Sequence, residues 1–232
     1  MASANSCHWH RHRGVQERVQ VAKGLSVKKP YHHGELRQAL IDAARALVRE
    51  KGDDGFSLSD ACRSAGVSTA APYRHFADKH EILDEVIARG FADLTTGVEE
   101  AAATQPLGAA ERFLALGHTY LRFAMTEPAL FRMMFGQKPD TSPDHIVVQR
   151  GKDCFGFVVQ EVVSYCQANQ VEGDAMLIAL QLWTLVHGAT SLTSDGDYAK
   201  ISDQIEVGQI LAVASDRLLF SLPRRPKPTR SE

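Results

Sequence analysis

Between residues 56 and 79 this 232-residue chain carries two short helical patterns separated by one glycine turn, and few folds accommodate that arrangement. Leu58, Ala61, Cys62 and Ala65 point one way, as on a helix of two turns. Either Ser57 or Ser59 is placed to cap it. Gly66-Val67 follow as a tight turn, and Gly66 tolerates the positive φ that such a turn needs. Ser68 then caps a second short helix running to about His75, bracketed by the core anchors Val67 and Phe76. Helices packed this closely need a small side chain, and Cys62, four residues before Gly66, holds that place. Two short helices joined by a turn of about three or four residues with a glycine in it form a helix-turn-helix.

The flanking sequence is helical too. From Glu35, Leu36, Leu40, Ala43, Ala44, Leu47 and Val48 share a face, and Gly52 sits where a helix would end. A further helix over 78–103 has Asp78 as cap and Ile82, Leu83, Val86, Ile87, Phe91 and Leu94 as its buried stripe. Beyond it, Pro106, Pro128, Pro139 and Pro143 punctuate helices predicted at 107–126, 129–136, 143–169, 173–193 and 203–221. No stretch alternates with period two. The expected fold is all-α: an N-terminal three-helix helix-turn-helix domain and a C-terminal helical domain. Residues 1–30 lack a hydrophobic period and read as a flexible arm, followed by domains at 31–78 and 79–222. Residues 223–232, with three prolines and four basic side chains, read as an unfolded tail.

Composition narrows the function. The chain is 44% apolar and 23% charged, enough for a sizeable core. It has no run of 18 apolar residues and no apolar N-terminal leader, so no membrane association is expected. Its four cysteines form no Cys-x-x-Cys pair, which fits a reducing cytoplasm. Residues 1–79 hold 13 Lys+Arg against 8 Asp+Glu, whereas residues 80–222 hold 9 against 19. A basic first third on an acidic body implies that only this third meets a polyanion. On charge alone, a chance scatter over solvated faces stays an equal reading.

The helix-turn-helix residues suit double-stranded DNA, whose major groove receives the second helix. Thr69 and Arg74 can reach base edges, arginine being the usual reader of guanine. Ala70 and Ala71 offer methyl contacts. Tyr73, His75 and Lys79 can hold phosphates, as can the hydroxyls of Ser57 and Ser59, with Ser68 at the helix start completing the set. Lys79 and the N-terminus of the 78–103 helix would meet a phosphate together.

The run Phe56-Ser-Leu-Ser-Asp-Ala-Cys-Arg-Ser-Ala-Gly-Val-Ser-Thr-Ala-Ala-Pro-Tyr-Arg-His-Phe-Ala-Asp-Lys79, with Tyr31-His-His-Gly-Glu-Leu-Arg37 before it, resembles the DNA-binding signature of the TetR/AcrR family of transcriptional regulators. The likeness covers about residues 31–95. It implies phosphate roles for Tyr73, His75 and Lys79 and places Thr69, Ala70 and Arg74 against bases. Two positions depart from the family pattern: Pro72, where a plain apolar residue is commoner, and Cys62, where alanine is. Pro72 costs little in a first helical turn. Further on, Glu127-Pro-Ala-Leu-Phe-Arg-Met-Met-Phe-Gly136 and Trp183-Thr-Leu-Val-His-Gly-Ala-Thr-Ser-Leu192 resemble landmarks of the WHG type of C-terminal domain.

That resemblance implies a ligand-binding and dimerisation domain at 79–222, a homodimer through the last two helices, and a small-molecule effector. Leu180, Val186, Leu192, Ile205, Ile210, Leu211, Ala214, Leu218 and Leu219 are candidates for interface or core. Phe113, Tyr120, Phe123, Phe131, Met134, Phe135, Phe155, Trp183 and His187 are candidates for the effector pocket, although aromatics at helical spacing also build plain cores. His187, four residues from Trp183, either orients a ligand or hydrogen-bonds within the core or dimer seam.

Rival classes fit less well. The chain shows no nucleophile elbow, phosphate-cradling glycine loop or His-Glu-x-x-His motif, so no enzyme is expected. Cys7, His8, His10 and His12 offer a metal-responsive alternative, but the tract lacks a complete spaced ligand set. Neither a cofactor nor a metal site is expected. A DNA-bound structural protein without a ligand is the third reading, and the acidic body adds no basic surface to it. The sequence reads as a ligand-responsive repressor on a palindromic operator, with Lys28, Lys29 and Tyr31 adding contacts from the arm.

Overall fold

The computed structural model describes residues 33–69, 74–136 and 142–225, which belong to one compact unit beginning at His32. Among the described residues nine helices run in order: α1 (His33–Lys51), α2 (Leu58–Ser64), α3 (Lys79–Ala103), α4 (Glu111–Thr126), α5 (Pro128–Phe135), α6 (Ile146–Asn169), α7 (Ala175–Ser194), α8 (Asp197–Ile201) and α9 (Val207–Phe220). Among the described residues there is no named strand, only an isolated antiparallel bridge between Val171 and Arg224. The fold is all-α, with an N-terminal helix-turn-helix and a helical C-terminal part. The short helix expected from Ser68 to His75 contains residues 70–73, which lie outside the described residues. The helix expected over 78–103 is therefore α3.

The turn after α2 is a complete Schellman motif. Gly66 adopts φ +69°, its N–H donates to the Arg63 carbonyl at 3.1 Å, and the Val67 N–H donates to the Cys62 carbonyl at 3.0 Å. Cys62 and Ala61 are fully buried beneath it, as a close helix pair requires. Leu40, Ile41, Ala44 and Val48 of α1 join them in a core that continues without a break into α3, α4 and α5. Three ion pairs fasten α1 to α3: Arg37–Glu85 at 2.5 Å, Asp42–Arg89 at 2.6 Å and Arg45–Asp93.

Gly90 marks where α3 and α5 touch. A Cβ there would come within 2.8 Å of the Met134 sulfur and 3.1 Å of Leu130. At the far end of α3, the buried Arg112 grips Glu161 of α6 through Nε at 2.5 Å and Nη2 at 2.8 Å. Its Nη1 donates to the Ala102 and Gln105 carbonyls, where α3 ends. The guanidinium is thereby paired on both its ionic and its neutral sides, as burial demands.

Several boundaries differ from expectation. The helix expected from 107 begins at Glu111, because Gly108 takes φ +77° and turns the chain first. The last helix begins at Val207 rather than 203, and the separate α8 precedes it after Gly196, at φ +70°. Residues 223–225, expected as the start of an unfolded tail, are pinned. Glu172 N–H donates to the Pro223 carbonyl and Arg225 N–H to the Gln170 carbonyl, each at 2.8 Å. Residues 1–32, with the arm contacts expected from Lys28, Lys29 and Tyr31, and the tail from 226 lie outside the described residues. One helix among the described residues, α7, is long and apolar enough to cross a membrane by length and composition alone, with mean hydropathy 1.4. Its Ile178, Ala179, Leu182, Ala189 and Thr190 are buried inside this protein.

Candidate DNA-reading head and ligand cavity

α2 is built around a reciprocal cap. The Ser57 hydroxyl accepts from the Asp60 N–H at 3.2 Å, while Asp60 accepts from the Ser57 N–H at 2.8 Å and from its hydroxyl at 2.6 Å. Those bonds hold the Asp60 carboxyl below the usual carboxylate range. Ser57, not Ser59, is thus the cap, and its hydroxyl is already engaged; Ser59 is half-buried. Ser68, Thr69 and Arg74 are exposed around the turn, and His75 is half-buried. Ala70 and Tyr73, with Ala71 and Pro72, lie outside the described residues. Phe76 is 1% exposed, and the Arg37 guanidinium sits 5.1 Å from its ring centroid. Lys79 opens α3, with Nζ 4.6 Å from the centroid of the Phe56 ring. The Asp78 carboxylate accepts from the Glu81 N–H at 3.0 Å to cap the same helix.

The C-terminal helices enclose a cavity of about 370 Å³, within the size range of small-molecule sites. Its walls come from α3 (Phe91, Leu94, Val98), α4 (Phe113, Gly117, Tyr120), α6 (Cys154, Phe155, Val158), α7 (Leu180, Trp183, Val186) and α9 (Leu211, Ser215), with Phe135 from α5. Of the nine side chains expected here, Phe113, Tyr120, Phe135, Phe155 and Trp183 line it. Phe123, Phe131, Met134 and His187 do not. Phe131 and Met134 are buried in the core against α3, and Phe123 packs on the same core. His187 stands behind the wall, with Nδ1 2.8 Å from the Tyr120 hydroxyl and its ring 5.1 Å from that of Phe135.

The sequence reading missed the α3 wall, Gly117, Lys152, Cys154 and Ser215. Phe91 and Leu94 belong to the buried stripe expected on the 78–103 helix, but a stripe of this kind does not distinguish a cavity wall from plain core, and Val98 lies beyond it. Nothing in the pattern marks Gly117 as the residue whose missing side chain keeps space open. A Cβ there would meet Val186 at 3.7 Å and Leu211 at 4.0 Å.

The hydroxyls of the wall are engaged within the protein. Burial pushes the Tyr120 hydroxyl well above the usual phenol range, partly offset by a hydrogen bond from Trp183. An indole N–H only donates, so the phenol proton goes to His187 Nδ1. Burial lowers His187 below the usual imidazole value, which keeps the ring neutral and able to accept. The Ser215 hydroxyl donates to the Leu211 carbonyl at 2.6 Å, one turn back in its own helix. Burial raises the Cys154 thiol, so it stays protonated.

Cavity and reading head share elements. α3 opens beside the helix-turn-helix with Lys79 and walls the cavity with Phe91, Leu94 and Val98. At 1.5 Å per residue its 25 residues run about 37 Å. α5 makes a second link. Phe135 near its C-terminal end lines the cavity, while the buried Glu127 at its N-terminus holds Arg49, through Nε at 3.2 Å and a second contact, and Arg45 at 3.3 Å. Both arginines belong to α1.

A family model described as bacterial regulatory proteins, tetR family, matches residues 40–86. A second, the tetracyclin repressor-like C-terminal domain, matches residues 113–213, which include both C-terminal landmark stretches. The chain belongs to the TetR/AcrR family of transcriptional regulators. It is similar to the HTH-type transcriptional regulator BetI of Agrobacterium fabrum, 34% identical over 82 residues, 35% of this chain and 39% of that one. It is also similar to the HTH-type transcriptional repressor KstR2 of Mycobacterium tuberculosis, 37% identical over 57 residues, 25% of this chain and 28% of that one. The chain thus matches well under half the length of either regulator. A solved structure of a protein with unknown function from Rhodococcus sp. RHA1 aligns over 84% of this TetR-family chain and 99% of its own, with TM-score 0.74 and 34% identity.

Proposed function

We propose that this chain is a ligand-responsive DNA-binding regulator that acts as a homodimeric repressor, released from a palindromic operator by a small molecule. The observation that carries the reading is the continuity of α3, one helix whose first turn abuts the helix-turn-helix and whose fourth and later turns wall the cavity. Residues 31–78 form the reading domain in this view and residues 79–222 the ligand-binding and dimerisation domain. Thr69, Ala70 and Arg74 face bases, while Tyr73, His75, Lys79, Ser59 and Ser68 position the phosphate backbone; both donors of Ser57 go to Asp60, so it holds the start of α2 instead. No catalytic step is assigned, and such a regulator works in the cytoplasm beside the chromosome.

The dimer is proposed through α7 and α9. Leu177 (55% exposed), Leu180 and Leu192 of α7 and Val213 and Phe220 (80% exposed) of α9 leave an apolar surface uncovered. Of the residues that were either interface or core, Leu211 and Leu219 are buried inside the subunit, and Leu180 and Leu192 face outward. Val186, Ile205, Ile210, Ala214 and Leu218 are half-buried. A second copy is the natural cover, because a two-fold axis lets one self-complementary patch close on itself. It also sets two reading heads at the spacing of a palindrome.

Effector binding would act by preferring one spacing of the heads over the other; without differential affinity it shifts nothing. α3 and the Glu127–Arg45–Arg49 link are the two routes from cavity to head. The test is binding of the purified chain to DNA flanking its own gene, at fixed salt, beside Arg74→Ala. Saturable binding to an inverted repeat, with sequence preference reduced by about 1–3 kcal/mol in the variant, supports the reading. Equal, salt-sensitive binding of wild type and variant to any sequence would sink it.

A further inference from the structure

The lining of the cavity has one charged side chain among the described residues, Lys152 on α6. It is exposed, and none of the ion pairs formed by the described residues uses it; its neighbours Arg150 and Asp153 pair with each other. No carboxylate and no side-chain amide lines the space. The remaining polar groups are engaged: the Tyr120 hydroxyl with His187, and Ser215 with its own helix. Beyond Lys152 the wall is aromatic and aliphatic, from Leu94 to Trp183. A ligand group that needs a free donor or a positive counter-ion finds one only at the Lys152 end.

We infer that the cavity takes an amphipathic monoanion: one continuous hydrocarbon body inside, and a single acidic end left at the rim beside Lys152. This rests on the reading of the cavity as the effector site and narrows it to a chemical class. A charge in mid-body would be stranded without a partner, which a low-dielectric wall penalises heavily. A cationic end would face Lys152 itself. An acidic end meets an unpaired ammonium while keeping part of its hydration, so the attraction is modest and serves orientation more than affinity.

Calorimetry on the full chain without DNA tests this. The probes share two hydrocarbon bodies, a linear ten-carbon chain and a naphthylmethyl group, each ending in carboxylate, alcohol or ammonium; decanedioate is the doubly charged control. Wild type should bind the carboxylate best and the ammonium worst. Lys152→Glu, a surface change, should reverse that order, with the carboxylate weakened about three- to tenfold and the alcohol nearly unmoved. Decanedioate should bind more than about a hundredfold weaker than decanoate, since its second charge has to enter the apolar space. Gly117→Leu, which fills the floor, should abolish binding while unfolding stays cooperative. Ammonium probes that match the carboxylates, decanedioate that matches decanoate, an unchanged order in Lys152→Glu, or no saturable binding by any probe would overturn the inference. Carboxylates that bind in the expected order but never weaken DNA binding would uphold this cavity chemistry and remove the effector role.

Discussion

The two ends of the chain spend their apolar residues in opposite ways. α1 carries Leu40, Ile41, Ala44, Leu47 and Val48 on one face and buries all of them against α2 and α3. α7 is more apolar, yet Met176, Leu177, Leu180 and Leu192 stay at its surface, joined by Val213 and Phe220 of α9. The reading end buries its apolar face within the chain; the far end leaves part of its own exposed. Apolar patches of that kind mark contact surfaces in soluble proteins. In the proposed dimer the head is rigid alone, while the spacing between two heads depends on the α7–α9 face.

The sharpest way to break this contrast is to charge the uncovered face. Leu177→Glu with Phe220→Glu should leave the subunit folded, since both side chains are exposed, and should give a monomer by light scattering. Loss of the tether between two heads should lower affinity for a full operator by about 10²–10⁴. A variant that stays dimeric, or binds the operator as wild type does, would place the interface elsewhere. The next effect is on stability. Leu40→Ala, at a fully buried site, should cost about 2–5 kcal/mol in urea unfolding. Leu192→Ala on the outer face, in the monomeric background, should cost less than about 0.5 kcal/mol. Equal costs would mean that the two ends do not differ as described.

The reading end was legible in the sequence because its rules are local. Gly66 four residues after Cys62, a serine before Leu58 and an aspartate before Lys79 each dictate one turn or cap, and each is found as read. The choice between Ser57 and Ser59 was not legible, since both precede helical residues and only the Asp60 geometry decides it. The cavity was half legible. Aromatic residues on α4 and α7 announce a bulky interior, but whether Phe131 fills the core or Phe135 lines a space depends on how α5 lies against α3. That contact is set by Gly90, far away in sequence. The bonds of Glu127 to Arg45 and Arg49 join residues about eighty positions apart, and no periodicity reveals such a pair.

Glu127 offers a milder break. Replacing it with Ala leaves Arg45 its second partner Asp93, and Arg49 is largely in solvent, so the loss is well short of a stranded buried charge. About 1–3 kcal/mol of stability should go. If the link carries part of the coupling, the variant should bind DNA and effector separately much as wild type does, and effector should release it from DNA less completely. Full release would leave α3 as the sole route.

The smallest expected effect is a pH slope at the seam between cavity and core. Burial lowers His187, so the folded chain keeps this ring neutral at pH values where the unfolded chain, at 6.5, takes up a proton. The unfolded state then binds more protons, and stability falls as pH drops through that value towards the lower folded one. Above 6.5 both states hold the ring neutral and the contribution is fully present. His187→Gln keeps an acceptor for the Tyr120 hydroxyl and removes the titration. Its melting temperature should therefore fall less than that of wild type between about pH 7.5 and 5.5. Parallel slopes would mean that the ring is protonated in the folded chain as readily as in the unfolded one. The phenol proton of Tyr120 would then have no acceptor at Nδ1, and the polar wall of the cavity would not be closed on itself.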